Sequence, residues 1–173
     1  MNAITPIFEN ELPRAPFVQA TARVNEWRGR SLDSFARMER AVTECLAAMA
    51  AVDGRGQHVR LSHLYGQRFD ALAVAIGADG PFEHEGGIAR AALEQCSSHT
   101  ALRNMLCHGV GNVTLDARGC WTLDLRMATF RSKRLERQQQ VLTESEAEAL
   151  REELARASKR LCSLLGKVRA SLD

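Results

Sequence analysis

The chain has 173 residues, 45% hydrophobic and 25% charged, which is the length and mix of one soluble domain able to bury a sizeable core. That composition excludes an intrinsically disordered chain and a disulfide-stapled miniprotein. Net charge is only +2, from 23 Lys and Arg against 21 Asp and Glu, so binding to nucleic acid or anionic lipid by bulk charge is excluded and any such contact has to be local.

Residues 1–16 hold Pro6, Pro13 and Pro16 among isolated apolar residues, which predicts an extended N-terminal arm ahead of one domain over 17–173. Phe17 to Arg28 reads as a short helix interrupted by Gly29. Ser31 or Asp33 then caps a firmer helix to about Val52, with Phe35, Met38, Val42, Cys45, Leu46 and Met49 recurring every three or four residues. The same period over 60–77 (Leu61, Leu64, Tyr65, Phe69, Leu72, Ile76) predicts a second helix, stopped at Gly77 and Gly80-Pro81. A third runs from about Glu85 to His108 with a restart at Ser97-Ser98, and Gly109 follows its end.

Beyond Gly109 the period changes from 3.6 to 2. Trp121, Leu123, Leu125 and Met127 alternate with polar or small residues, and Asp116-Ala117-Arg118-Gly119 separates them from Val113-Thr114-Leu115. This is a β-hairpin over about 111–128. Thr143-Glu144-Ser145-Glu146 is a capping box that opens a last long helix, whose Leu150, Leu154, Ala157, Leu161, Leu164 and Val168 form a seam within a bundle. The expected fold is mostly α: a helical bundle with one inserted hairpin before a long C-terminal helix.

Five cysteines, an odd number without a C-x-x-C pair, indicate neither a disulfide framework nor a zinc knuckle. Cys96-Ser97-Ser98-His99 and Cys107-His108 lack a second ligand pair at a recognised spacing, so no metal or cofactor is expected. With no basic leader and no apolar run long enough for a bilayer, the chain reads as cytoplasmic and free of membrane.

The segment that carries chemistry is Arg103-Asn104-Met105-Leu106-Cys107-His108-Gly109. At about 100° per residue, Leu102, Met105 and Leu106 share the inward face, while Asn104 and His108, one turn apart, point away from it. His108 lies in the last turn, where free carbonyls and the negative end of the helix dipole favour an imidazolium and hence a poised acid. Arg103 is rotated about 140° from His108, so the two meet only through the reach of the arginine or by fraying at Gly109. A phosphate between them would meet a fork of donors and a proton-transfer group.

This heptapeptide resembles the R-N-x-x-x-H-G signature of the HEPN family, small α-helical nucleotide-binding or ribonuclease domains. The close match covers residues 103–109, and helix order agrees loosely over about 31–172. A bare R-x-x-x-x-H is common by chance in an arginine-rich chain; Asn after the Arg and Gly after the His are what make it specific. The resemblance implies a dimeric, metal-independent endoribonuclease. In such an enzyme the 2′-hydroxyl attacks the adjacent phosphorus to leave a 2′,3′-cyclic phosphate and a 5′-hydroxyl. Arg103 would stabilise phosphate, His108 transfer protons, and Asn104 orient His108 or bond the phosphate. One histidine does not easily serve as base and acid in one step, and a homodimer brings a second copy. The resemblance also permits a toxin-like role beside an antitoxin or nucleotidyltransferase partner. Two other readings stand beside it: a non-enzymatic HEPN-like dimer that binds a nucleotide or protein, and an ordinary helix end capped by His108 and Gly109.

Charge balance departs from the average in one place. Arg126, Arg131, Lys133, Arg134 and Arg137 face a single acid, Glu136, between the hairpin and the last helix. This segment reads either as a track for an RNA backbone or as a solvated linker. Glu39 reads as a surface flank of the first long helix.

Overall fold

The computed structural model describes residues 14–172. The proposed arm therefore lies largely outside the described residues, and its last three residues belong to a helix. That helix, α1 (Arg14–Ala50), is 37 residues long and continuous through Gly29. Pro16 is tolerated because it sits in the first turn, where no intrahelical N–H bond is lost. Gly29 does not stop the helix, because Ala20, Val24 and Trp27 before it and Phe35, Met38 and Val42 after it are all buried and lie on one stripe. Burial along that stripe outweighs the roughly 1 kcal/mol that a mid-helix glycine costs. Ser31, expected as an N-cap, instead lies buried within α1.

After α1 the chain turns at Gly54 and runs through a short 3-10 turn (Gly56–His58) into α2 (Tyr65–Ala75). This helix starts five residues later than the period predicts: residues 60–64 are not helical, and Leu61 and Leu64 are exposed. The third predicted helix is broken into α3 (Glu83–Gly86), a 3-10 turn (Gly87–Ala89), α4 (Arg90–Ser97) and α5 (Thr100–His108). The break falls at Ser98-His99, where the Ser97, Ser98 and Thr100 hydroxyls donate to the carbonyls of Leu93, Gln95 and Ser97.

A three-stranded antiparallel sheet follows, in the order β1 (Val110–Leu115), β2 (Trp121–Arg131), β3 (Arg134–Thr143). The expected hairpin is its first half. In the turn, the Asp116 carboxylate accepts the backbone N–H groups of Arg118 and Cys120, both at 2.9 Å, and Gly119 takes φ +81°. The basic segment 126–137, a linker on one of its two readings, is the end of β2 and the start of a third strand. The β2–β3 connection is a two-residue turn at Ser132 and Lys133, with φ of +50° and +64°, the left-handed pair that matches strand twist.

The last helix, α6 (Glu144–Ala170), begins as predicted: the Thr143 side chain accepts from the Glu146 N–H, and Glu146 accepts from the Thr143 N–H. It runs parallel to α1, since Trp27 meets Ala147, Ser34 meets Ser158 and Glu44 meets Arg169 in rising order. Ser34 and Ser158 let the two helices approach closely, with the Ser158 hydroxyl donating to the Ser34 carbonyl at 3.1 Å. Trp27 ties three elements together. It packs on Trp121 with ring centroids 6.3 Å apart, and its indole N–H donates to the Ala147 carbonyl at 2.6 Å. Trp121, Leu123, Leu125 and Met127 bury one face of the sheet against this core, and the other face is open. Among the described residues no helix is long and apolar enough to cross a membrane.

Candidate functional site

α5 presents its residues as the helical period requires. Leu102, Met105 and Leu106 are buried, Arg103 and Asn104 are half-buried, and Cys107 and His108 are exposed. Gly109 ends the helix in an extended conformation, so it is not needed for a left-handed φ. It is needed for space: a Cβ there would lie 2.5 Å from the Met105 carbonyl oxygen. Two of the carbonyls at this helix end are taken by a side chain. Arg28 of α1 donates from Nε to the Leu106 carbonyl at 2.6 Å and from Nη2 to the Gly109 carbonyl at 3.2 Å. This cationic clamp holds the Leu106 and Gly109 carbonyls and fixes the place where α5 hands over to β1.

His108 borders a cleft of about 780 Å³ on the open side of the sheet, shared with Val110, Arg126, Ala128, Arg137 and Gln139, and no acidic residue lines it. Register explains the grouping. Val110 pairs with Arg126, Arg126 with Gln139, and Ala128 with Arg137, so His108, two residues before Val110, reaches the same patch. Arg126 is braced from beneath by Asp124, 2.6 Å away, which also accepts from Gln139 at 2.9 Å. The hydrogen bond from Arg126, then that from Gln139, holds the Asp124 carboxyl below the usual range. Arg126 remains 69% exposed.

Arg103 and Asn104 belong to a different group. The Arg103 guanidinium lies over the Tyr65 ring at 4.7 Å and donates to Asn104 Oδ1 at 3.3 Å. Asn104 thus faces Arg103, and neither residue lines the His108 cleft. Glu39 is half-buried, paired with Arg68 at 3.3 Å, and Arg68 also donates to Thr43 and to the His63 carbonyl. Its partial burial and its ion pair with Arg68 of α2 make it more than a surface flank. Burial pushes the Tyr65 hydroxyl well above the ordinary phenol range; Glu39 adds to this and Arg103 opposes it.

Of the predicted phosphate-binding residues, Arg126 joins His108, while Arg131, Lys133 and Arg134 lie at the far end of the β2–β3 hairpin. Arg137, read from sequence only as part of the basic segment, also lines the cleft, and so does Gln139, which the sequence did not point to because its strand is not legible there. The segment carries no period-two signal, since its outer Arg137 and Gln139 and its inner Glu136, Gln138 and Gln140 are all polar. Among the described residues no group of three or more His, Cys, Asp or Glu side chains converges as a metal site would. Comparison of the chain with family models, curated proteins and solved structures returns no match.

Proposed function

We propose that this chain is a HEPN-like endoribonuclease of the cytoplasm, acting without a metal and as a homodimer. The observation that carries the reading is the pairing of an exposed His108 with Arg126 and Arg137 around a cleft that no carboxylate lines. A phosphodiester entering there meets arginine forks suited to its charge and one group able to move a proton. In the reaction, the 2′-oxygen bonds to phosphorus and its proton passes to a base. The bond from phosphorus to the 5′-oxygen breaks, and that oxygen takes a proton from an acid. His108 serves one of these roles, and His108 of a second copy the other. The developing charge on phosphorus is met first by Arg126. Arg103 takes the role that the family resemblance gives it only by rotating off Tyr65, with Asn104 steering it. A toxin-like protein held by an antitoxin or nucleotidyltransferase partner fits this chemistry.

The test is incubation of the purified protein with RNA in EDTA. Wild type is expected to produce fragments with 2′,3′-cyclic phosphate and 5′-hydroxyl ends, and His108→Ala to slow this by at least ~100-fold. One observation favours a second reading, a non-enzymatic dimer that binds a nucleotide or a protein: Arg103 and Asn104 turn toward Tyr65 and away from His108. Absence of cleavage by wild type, or equal cleavage by the variant, would select it.

A further inference from the structure

Strands β2 and β3 outrun β1. β1 pairs with β2 only as far as Val110 with Arg126, whereas β2 and β3 stay paired out to Arg131 with Arg134. Residues 127–138 are therefore a two-stranded ribbon that projects beyond the sheet. Phe130 sits on its open face, 82% exposed, opposite Leu135, which is 45% exposed. The fold gains nothing from a phenyl ring so placed, since it buries almost none of it. Arg137 stands on the same face and Lys133 in the turn beyond it, while the ribbon's one acid, Glu136, lies with Arg134 on the opposite face. Phe130 follows Arg126 by four residues on the same face, about 13 Å along the strand. The ring, the arginines and the His108 cleft thus lie on one line.

We infer that this ribbon binds single-stranded RNA, with an unpaired base stacked on Phe130 and the phosphates that follow it held by Arg137 and Arg126 on the way to His108. The inference rests on the reading of that cleft as an RNA-cleaving site and names its substrate class. An exposed aromatic face accepts any base that lacks a neighbour, whereas both faces of a base within a duplex are already taken. About 13 Å spans up to about four stacked nucleotides at 3.4 Å each, so the gripped base and the cleaved bond belong to one short segment. A protein partner is the poorer occupant of this face. Its apolar residues are split, Val110 and Val141 near the base and Phe130 with Leu135 at the tip, with Arg126, Arg137 and Gln139 between them.

The experiment measures binding of an unstructured 12-nucleotide RNA, made uncleavable by 2′-O-methylation, by fluorescence anisotropy, alone and annealed to its complement. Wild type is expected to prefer the single strand. Phe130→Ala should weaken single-strand binding by about 5- to 150-fold, the range for loss of one stacked base, while Phe130→Trp retains it. An unchanged Kd for Phe130→Ala, a preference for duplex, or loss of self-association by Phe130→Ala with RNA binding intact would overturn the inference, the last by assigning the face to a second copy. Cleavage of the unmodified RNA is measured in parallel. Phe130-dependent binding without any cleavage removes the nuclease reading and leaves the single-strand site standing.

Discussion

The seam between α1 and α6 and the ribbon of β2 and β3 are both rich in arginine, and they use it in opposite ways. Along the seam, Arg30 pairs with Glu26, Arg37 with Asp33, Arg151 with Glu148 and Arg169 with Glu44. The groove there, about 640 Å³, is walled by Arg30, Arg37 and Arg151, which already have partners, and by Lys159. On the ribbon, Lys133, Arg134 and Arg137 have no carboxylate within salt-bridge distance among the described residues, and only Arg126 at its base is paired, with Asp124. A net charge of +2 therefore averages a neutralised body with a cationic projection. The difference teaches where to look for an anion: beside the charges that the fold leaves unanswered rather than in the groove between helices, which is the smaller of the two.

Substitutions separate the two regions, and the largest effect belongs to the body. Trp27→Ala removes a ring that joins α1, β2 and α6, and is expected to cost about 3–5 kcal/mol, a large part of the stability of a domain this size. Chemical denaturation measures it. Arg28→Ala, which frees the Leu106 and Gly109 carbonyls, should cost about 1.5–3 kcal/mol and loosen the position of His108. Its loss should also lower cleavage through the position of His108, so a stability loss with cleavage untouched would break the proposed link between the clamp and the site.

Thr143→Ala removes the cap of α6 and should cost about 1 kcal/mol, lowering Tm by about 2–4 °C. The same cap carries a pH dependence. Hydrogen bonds from the Thr143 backbone and side chain hold the Glu146 carboxyl below its usual range. A folded value below the unfolded one means that the contribution is full above the ordinary carboxylate range and is lost as pH falls through the lowered value. The acid limb of the wild-type stability curve should therefore be steeper than that of Thr143→Ala. Phe130→Ala closes the series at the small end for folding, within about 0.5 kcal/mol of wild type, despite its large expected effect on RNA.

What could be read from residues alone follows the same division. The α6 cap, the break beside Ser97-Ser98 and the first hairpin were legible because each is a local device, a box, a competing hydroxyl or a period of two. β3 was not, because its inner positions Gln140, Gln138 and Glu136 are polar and the turn before it is Ser-Lys, without the glycine that normally marks two left-handed residues. Gly29 misled for the converse reason: a local breaker was overruled by burial on both sides. Within the site, the outward placement of His108 followed from helical period. The Arg28 clamp joins residues 78 apart in sequence, and the turn of Arg103 onto Tyr65 depends on packing between α2 and α5, so neither left a local mark.

The central claim is that the His108 cleft and the ribbon are one RNA site. An NMR titration of the full chain with uncleavable 2′-O-methyl single-stranded RNA tests it most directly, following the His108 imidazole and the Phe130 ring together. The account predicts that both shift along one binding curve while signals from the α1–α6 groove stay in place. Shifts confined to that groove, or a Phe130 ring that stays still while His108 moves, would contradict it.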